Sequence, residues 1–351
     1  MDPKWTSGNE LKYLNEVLSN SEEVRKNPFT DRLEDAFCEK YDVKYAIAVN
    51  SGTSGLHAAL IAAGVEPGDE VITTPWTMSA TATAILQWNA IPVFCDIDKK
   101  TFCIDPKKIE ERITHKTKAI IAVDIFGQSS DMLPIMEIAN RHSLKVVSDT
   151  AQAPGAKYNE KYAGTLAHIG GFSFNYHKHI HCGEGGVIVT NDDDLAYRSK
   201  LIRNHGENVI GSKGINNIIG CNYRLGEIEC AIAYEQLKKL DKNNSKRKNI
   251  AKRYSEELDI EVKMKFQKDC SYHIFWIQVK NREQFMMKMK QEKIETGIHY
   301  LPIHKMSFYK KFSKKLKMTE DASTKIVSLP IHPNLSEKDI TRIIKSVNKF
   351  M

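Results

Sequence analysis

The sequence predicts an α/β fold: βαβ units around a mostly parallel sheet, with a smaller α+β domain at the C-terminal end. Three observations predict it. Short apolar runs of strand length alternate with segments of helical periodicity from residue 45 to about residue 240. Those runs are largely uninterrupted, as suits strands covered on both faces. At 351 residues the chain also exceeds the roughly 250 to 300 residues at which one hydrophobic core stops growing. Two domains are therefore expected, 1–240 and 241–351.

The elements follow in order. Leu11, Leu14, Val17 and Leu18 stand at helical spacing and predict a helix docking onto the body, broken by Pro28. A helical pattern from Arg32 to Tyr41 leads into YAIAVN, a strand that stops at Ser51 and Gly52, and LHAALIAAG then resumes helical spacing. The theme repeats with EVITTP, IPVFCDI, KAIIAVDIF, KVVSDTA and GGVIVTN as strands, and ATATAILQW, MLPIMEIANRH and DLAYRSKLIRNHG as helices. GENVIGSKGINN reads as a loop. The helix from Arg224 to Leu240 and its lysine-rich continuation bridge to the second domain, the charge run being a solvated helix face. There SYHIFWIQV and ETGIHYL are expected strands and REQFMMKMKQEK a helix, with Met286, Met287 and Met289 as core and helix filler.

Composition narrows the function classes. With 41% hydrophobic and 27% charged residues, the chain has the balance of a globular protein. The first twenty residues carry no apolar core with a small-residue cleavage site, and no later stretch is long enough to span a bilayer, so a cytoplasmic location without a membrane partner is expected. Seven cysteines, odd in number and without a C-x-x-C pair, suit reduced packing residues. The net charge is +7, but the lysines are interleaved with acids, which favours anionic ligands over nucleic acid.

Three segments can carry chemistry. SGTSG, Ser51 to Gly55, joins a strand to a helix; the free amides there can seat a phosphate, although many ordinary turns are as rich in Ser and Gly. Neither G-x-x-x-x-G-K-[ST] nor G-x-G-x-x-G occurs, so no nucleoside-triphosphate loop or dinucleotide fingerprint competes. Asp149 ends an apolar strand at the edge where open α/β sheets place ligands. It can cap the next element or, beside a pyridine ring, keep the ring nitrogen protonated. Lys178, in GGFSFNYHKHIHCGEGG, is either a surface lysine or, desolvated by aromatic neighbours, a neutral amine able to attack a carbonyl. His177, His179, His181 and Cys182 offer a rival: alternate histidines in an extended strand would face one side as zinc ligands.

Taken together, AIAVNSGTSGLHAAL, GVEPGDEVITTPWT, SDTAQAPGA, GGFSFNYHKHIHCGEGGVIVTND, IRNHG, CNYRLGEIECAIAYEQL, GIHYLPIH and SLPIHPNLSEKDI resemble the DegT/StrS-type family of fold type I aminotransferases, from about residue 9 to the C-terminus. The resemblance implies a large domain with a seven-stranded, mainly parallel sheet, a small C-terminal domain, pyridoxal 5′-phosphate (PLP) as cofactor, no metal, and a homodimer with shared active sites. Lys178 is similar to the lysine that holds PLP as a Schiff base and moves the substrate proton. Asp149 falls on the partner of the pyridine nitrogen and Gln152 on the contact to the phenolic oxygen. The Thr53 and Ser54 amides with the Ser173 hydroxyl correspond to the phosphate cradle, and Asn222 to a residue reaching the neighbouring subunit's phosphate.

The chain departs from the family where an aromatic ring usually covers the cofactor: that position is Met78, with Trp76 two residues earlier, and either could cover the ring. His179 follows the lysine where Asn is common. Arg203, Arg224, Tyr300 and His304 are candidates for the substrate pocket. The activity implied is ping-pong transamination from an amino acid, with glutamate as donor, to a keto-sugar carried on a nucleotide. A smaller phosphorylated ketone is the other acceptor considered. A related sugar dehydratase using pyridoxamine phosphate (PMP) would be expected to carry His in place of Lys178.

Overall fold

The protein is described here from a computed structural model, over residues 7–207 and 218–351. The expected loop at 206–217 therefore lies almost wholly outside the described residues. Helices α1 (Glu10–Leu18), α2 (Glu22–Lys26) and α3 (Phe29–Tyr41) precede β1 (Tyr45–Val49), α4 (Gly52–Ala62), β2 (Glu70–Thr73), α5 (Ala80–Gln87) and β3 (Ile91–Phe94). Next come β4 (Thr117–Val123), α6 (Met132–Arg141), β5 (Lys145–Asp149), a small hairpin of β6 (Lys157–Tyr158) and β7 (Lys161–Tyr162), β8 (Ile169–Ser173), β9 (Gly186–Thr190) and α7 (Asp193–Arg203). The long α8 (Glu227–Glu257) leads to β10 (Phe275–Gln278), α9 (Arg282–Gln291), α10 (Lys317–Ser323), β11 (Ile326–Leu329) and α11 (Glu337–Phe350).

Seven strands form one sheet in the order β1-β9-β8-β5-β4-β2-β3. All neighbours are parallel except β9, which runs antiparallel to both β1 and β8. The chemistry of the connections explains this. Parallel neighbours need a crossover, supplied here by α5 between β2 and β3 and by α6 between β4 and β5, whereas residues 174–185 simply reverse the chain between β8 and β9. That reversal carries Lys178. It begins beyond Ser173, near the end of β5 where Asp149 sits, so the topology gathers three of the expected site segments at one edge of the sheet. Helix α4 lies against the sheet with α5 and α7 beside it, and nine of its eleven residues are buried, which suits a helix apolar all round.

Helix α8 runs unbroken from 227 to 257, through the expected boundary at 240, and its inner face contributes Ile250, Ala251 and Tyr254 to the core beyond. In that region β10 pairs with β11 rather than with ETGIHYL, which makes only an isolated bridge from Gly297 to Ser328. IVSL wins the strand position because all four of its residues are buried. β8 also forms despite two glycines that weaken a strand. Gly170 is required there, since a Cβ would lie 2.1 Å from the Gly164 carbonyl oxygen. Helix α1 docks on α8, but Leu11 and Leu18 stay exposed and its deepest anchor is the buried Glu10, which accepts a 2.7 Å bond from Gln236 and pairs with Lys239. Of the methionines, Met289 is core and Met287 is exposed.

Candidate active site

Ser51 caps α4: its Oγ accepts the Ser54 N–H at 3.1 Å, and the first helical main-chain bond runs from Gly55 N–H to the Ser51 carbonyl at 3.0 Å. This corrects one expectation. The Ser54 amide is consumed by the cap, and its hydroxyl donates to Asn50 Oδ1 at 2.5 Å, so the amides left at the helix end for an anion are those of Gly52 and Thr53. A Cβ at Gly52 would come 2.8 Å from Ser173 Cβ, so the helix end and the Ser173 hydroxyl meet closely, as a phosphate cradle needs.

Asp149, at the end of β5, is buried. Its Oδ2 accepts the Thr81 hydroxyl at 2.7 Å and its Oδ1 the Ala151 N–H at 3.2 Å. Burial raises the carboxyl above its usual range, while the Thr81 bond and the charge of Lys178 act against that. The Ala151 bond closes a turn, since no helix follows here, so a cap does not account for the residue. Gln152 is fixed at both ends of its amide: Oε1 accepts the Phe126 N–H at 3.1 Å and Nε2 donates to the Tyr300 hydroxyl at 3.1 Å.

Lys178 sits on the reversal between β8 and β9, its N–H donating to the Asn175 carbonyl at 2.8 Å. Part of the side chain reaches the surface, yet the packing around it is dense enough that burial outweighs the attraction of Asp149 and Glu184 and lowers the amine below the usual lysine value. The lysine also lines a cavity of about 280 Å³ with Tyr176, His177, His179, Arg247, His273 and His332. The histidine alternation has no strand to act on. His177 is exposed with its ring tilted against Tyr176, while His179 is buried, bonds Asn244 Oδ1 at 2.7 Å and stacks on His273. The Cys182 thiol meets the Glu184 carbonyl, and among the described residues no three His, Cys, Asp or Glu are grouped to hold a metal ion.

Several expected pocket residues lie elsewhere. Arg203 is held by other partners, paired with Glu34 at 2.6 Å and bonded to the Ala48 carbonyl. His304 is buried beside Phe94 and Glu320, where it packs the chain after Tyr300. Trp76 is fully buried against Phe102 in the core, which removes it as a cover for a ring; Met78 is half-exposed just before α5. Asn222 and Arg224 are exposed, with the Asn222 carbonyl accepting from Asn50 and the Arg224 guanidinium donating to Asn204 Oδ1. Thr81 was missed by the sequence reading. Its only signal was its i, i+4 spacing from Thr77, whose hydroxyl lies 2.9 Å away.

An acid, an amine of lowered proton affinity and a pair of free helix amides beside a serine hydroxyl match the ring nitrogen, aldehyde and phosphate of PLP, so the residues present fit that cofactor. Residues 6–348 match the DegT/DnrJ/EryC1/StrS aminotransferase family. GDP-perosamine synthase of Escherichia coli O157:H7 is 35% identical over 350 residues, covering 98% of this chain and 96% of that protein. The dTDP-3-amino-3,6-dideoxy-alpha-D-galactopyranose transaminase of Aneurinibacillus thermoaerophilus is 38% identical over 331 residues, covering 91% and 89%. Among solved structures, NtdA of Bacillus subtilis with bound cofactor PMP superposes with a TM-score of 0.91 at 32% identity, covering 100% of this chain and 82% of that one.

Proposed function

Because this chain belongs to the DegT/DnrJ/EryC1/StrS aminotransferase family, we propose that it carries an amino group from glutamate to a keto-sugar linked to a nucleotide, with PLP bonded to Lys178. The observation that carries the reading is the amine of Lys178, its proton affinity lowered by burial within reach of the Asp149 carboxylate. The two relatives, named for products or substrates on GDP and dTDP, support a nucleotide-linked acceptor.

When bound, PLP supplies an aldehyde that condenses with amines and a ring that takes up the electron pair released at the substrate carbon. The protein's own residues do the rest. Asp149, whose carboxylate accepts the Thr81 hydroxyl, would keep a proton on the ring nitrogen. Gln152, locked between Phe126 and Tyr300, presents its amide to the phenolic oxygen side of the ring. The Gly52 and Thr53 amides and the Ser173 hydroxyl would hold the phosphate, and Met78 would be the side chain available to cover the ring. Lys178 would be the residue that bonds the cofactor's aldehyde, and its amine, when free and neutral, would serve as the base that moves the proton at the substrate carbon in both half-reactions. Retention of a lysine at 178 favours transamination over the dehydratase chemistry.

The working unit in this reading is a cytoplasmic homodimer. The exposure of Asn222 supports its reaching a partner's site, and no described helix is long and apolar enough to cross a membrane. The test is spectroscopic. Glutamate should abolish the visible band of the lysine-bound cofactor, and a nucleotide-linked keto-sugar should restore it. A band that ignores glutamate would remove the donor; one restored only by small keto-phosphates would replace the acceptor.

A further inference from the structure

Asp124 follows β4 directly and is fully buried. Its neighbour across the sheet is the acid of the cofactor seat: Val123 pairs with Asp149, and the Asp124 N–H donates to the Asp149 carbonyl at 3.0 Å. The Asp124 carboxylate accepts three bonds, from the Ser130 N–H at 2.8 Å, the Ser148 hydroxyl at 3.0 Å and the Thr150 hydroxyl at 2.8 Å. Every one of those donors is neutral, and among the described residues no cation bonds to it. The titratable groups facing it are Asp149 on β5 and the Cys103 thiol between β3 and β4. Burial pushes the carboxyl up to about 6, with the three bonds opposing and Asp149 adding to the rise. Above that pH the fold therefore holds a second, uncompensated negative charge beside the first, an arrangement that costs stability unless positive charge comes to it.

Three hydroxyl and amide partners do not require a charge. Hydroxyls turn to accept as readily as to donate, so an asparagine could close the same network. The charge itself needs a use. The positive groups nearest in the chemistry are the protonated ring nitrogen that Asp149 would hold and the Lys178 nitrogen, whose attraction to Asp149 is already present in the protein alone.

We propose that Asp124 is a positioning residue acting through Asp149: a recessed second carboxylate whose negative charge helps the cofactor's ring nitrogen and its linkage to Lys178 keep their protons. The inference rests on the cofactor reading given above. Its test is the holoenzyme of Asp124→Asn, titrated by absorbance across pH without substrate. The pH midpoint at which the lysine-linked cofactor loses its proton should fall by on the order of one unit, the size expected for removing one charge a few ångströms behind the acid. A purely structural Asp124 would leave that midpoint in place and change only thermal stability. Should Asp124→Asn not fold, Ser148→Ala decides instead: a lost donor keeps Asp124 protonated to higher pH, so the midpoint falls in the same direction by less. An unmoved or raised midpoint in the folded variant overturns the inference alone. A wild-type protein with no lysine-bound band would remove the cofactor reading and this one with it.

Discussion

Gln152 Nε2 donates to the Tyr300 hydroxyl at 3.1 Å, joining the strand end that carries Asp149 to a residue that follows it by almost half the chain. The same amide accepts from Phe126 N–H, so neither end of the Gln152 side chain can turn. Tyr300→Phe removes one end of that clamp without removing volume. A neutral hydrogen bond contributes about 0.5–1.5 kcal/mol net to stability, so the melting temperature should drop modestly, while a Gln152 amide freed to turn should lower turnover by up to roughly tenfold. Steady-state kinetics beside a melting curve checks it; equal kinetics would mean that Gln152 is held adequately by Phe126 alone.

Lys178 makes a second prediction, about stability without cofactor. Its amine has a lower proton affinity folded than unfolded, because burial outweighs Asp149 and Glu184. The unfolded chain therefore binds the extra proton between the lowered value and the usual lysine value, and stability rises with pH across that window. Lys178→Met apoprotein should accordingly unfold at a higher urea concentration than wild-type apoprotein at neutral pH. The gap should close as pH approaches the ordinary lysine range. Turnover, in contrast, should be lost, as should the pyridoxyl adduct left on this peptide by borohydride.

The legible parts of the sequence and the illegible parts differ in what decides them. YAIAVN, KVVSDTA and GGVIVTN were readable because unbroken apolar runs between turn residues leave few alternatives to a buried strand. IGGFS was not, because its two glycines weaken the local strand pattern and Gly170 is there for a close approach to Gly164 that lies outside it. At the site, Lys178, Asp149 and Ser173 stood in quotable motifs. Arg203 and His304 stood in motifs as well, yet Arg203 is claimed by Glu34, far away in the sequence, and His304 by Glu320 in a later helix, pairings that no local pattern shows. Asp124 was invisible for the opposite reason: inside KAIIAVDIF it reads as the polar end of a strand, and only the register with β5 sets it behind Asp149.

Asp96 predicts an acid-sensitive tie between the sheet and the C-terminal region. Beyond the end of β3 it accepts the Met318 N–H at 3.0 Å, the Thr319 N–H at 2.9 Å and the Thr319 hydroxyl at 2.7 Å, thereby capping α10 from a distance. Burial pushes the carboxyl up, but these bonds together hold it below its usual value. For a carboxyl lowered in the folded state, the stabilisation is complete above the unfolded value and is lost as pH falls through the folded one. Asp96→Asn should cost about 1–3 kcal/mol at neutral pH. The difference from wild type should shrink in acid, as urea titrations at two pH values would show. A cost that stayed constant into acid would mean that shape and not charge makes the tie.

Arg203 and Glu34 form a partly buried pair whose role is separable from the site. Burial keeps the Glu34 carboxyl above its usual range despite the Arg203 charge, the Ala48 N–H bond and the Arg203 bond, so desolvation is the larger effect for the acid. Breaking a buried pair from one side leaves its other charge stranded, at a cost of about 3–5 kcal/mol for full burial and less for this partly exposed arginine. Arg203→Met alone should therefore destabilise the protein more than the double variant Glu34→Gln with Arg203→Met, in which neither charge remains. Because the pair lies away from Lys178 and Asp149, KM for both substrates should stay at wild-type values in whichever variants fold. A selective rise in the KM of the nucleotide-linked acceptor would return Arg203 to the pocket.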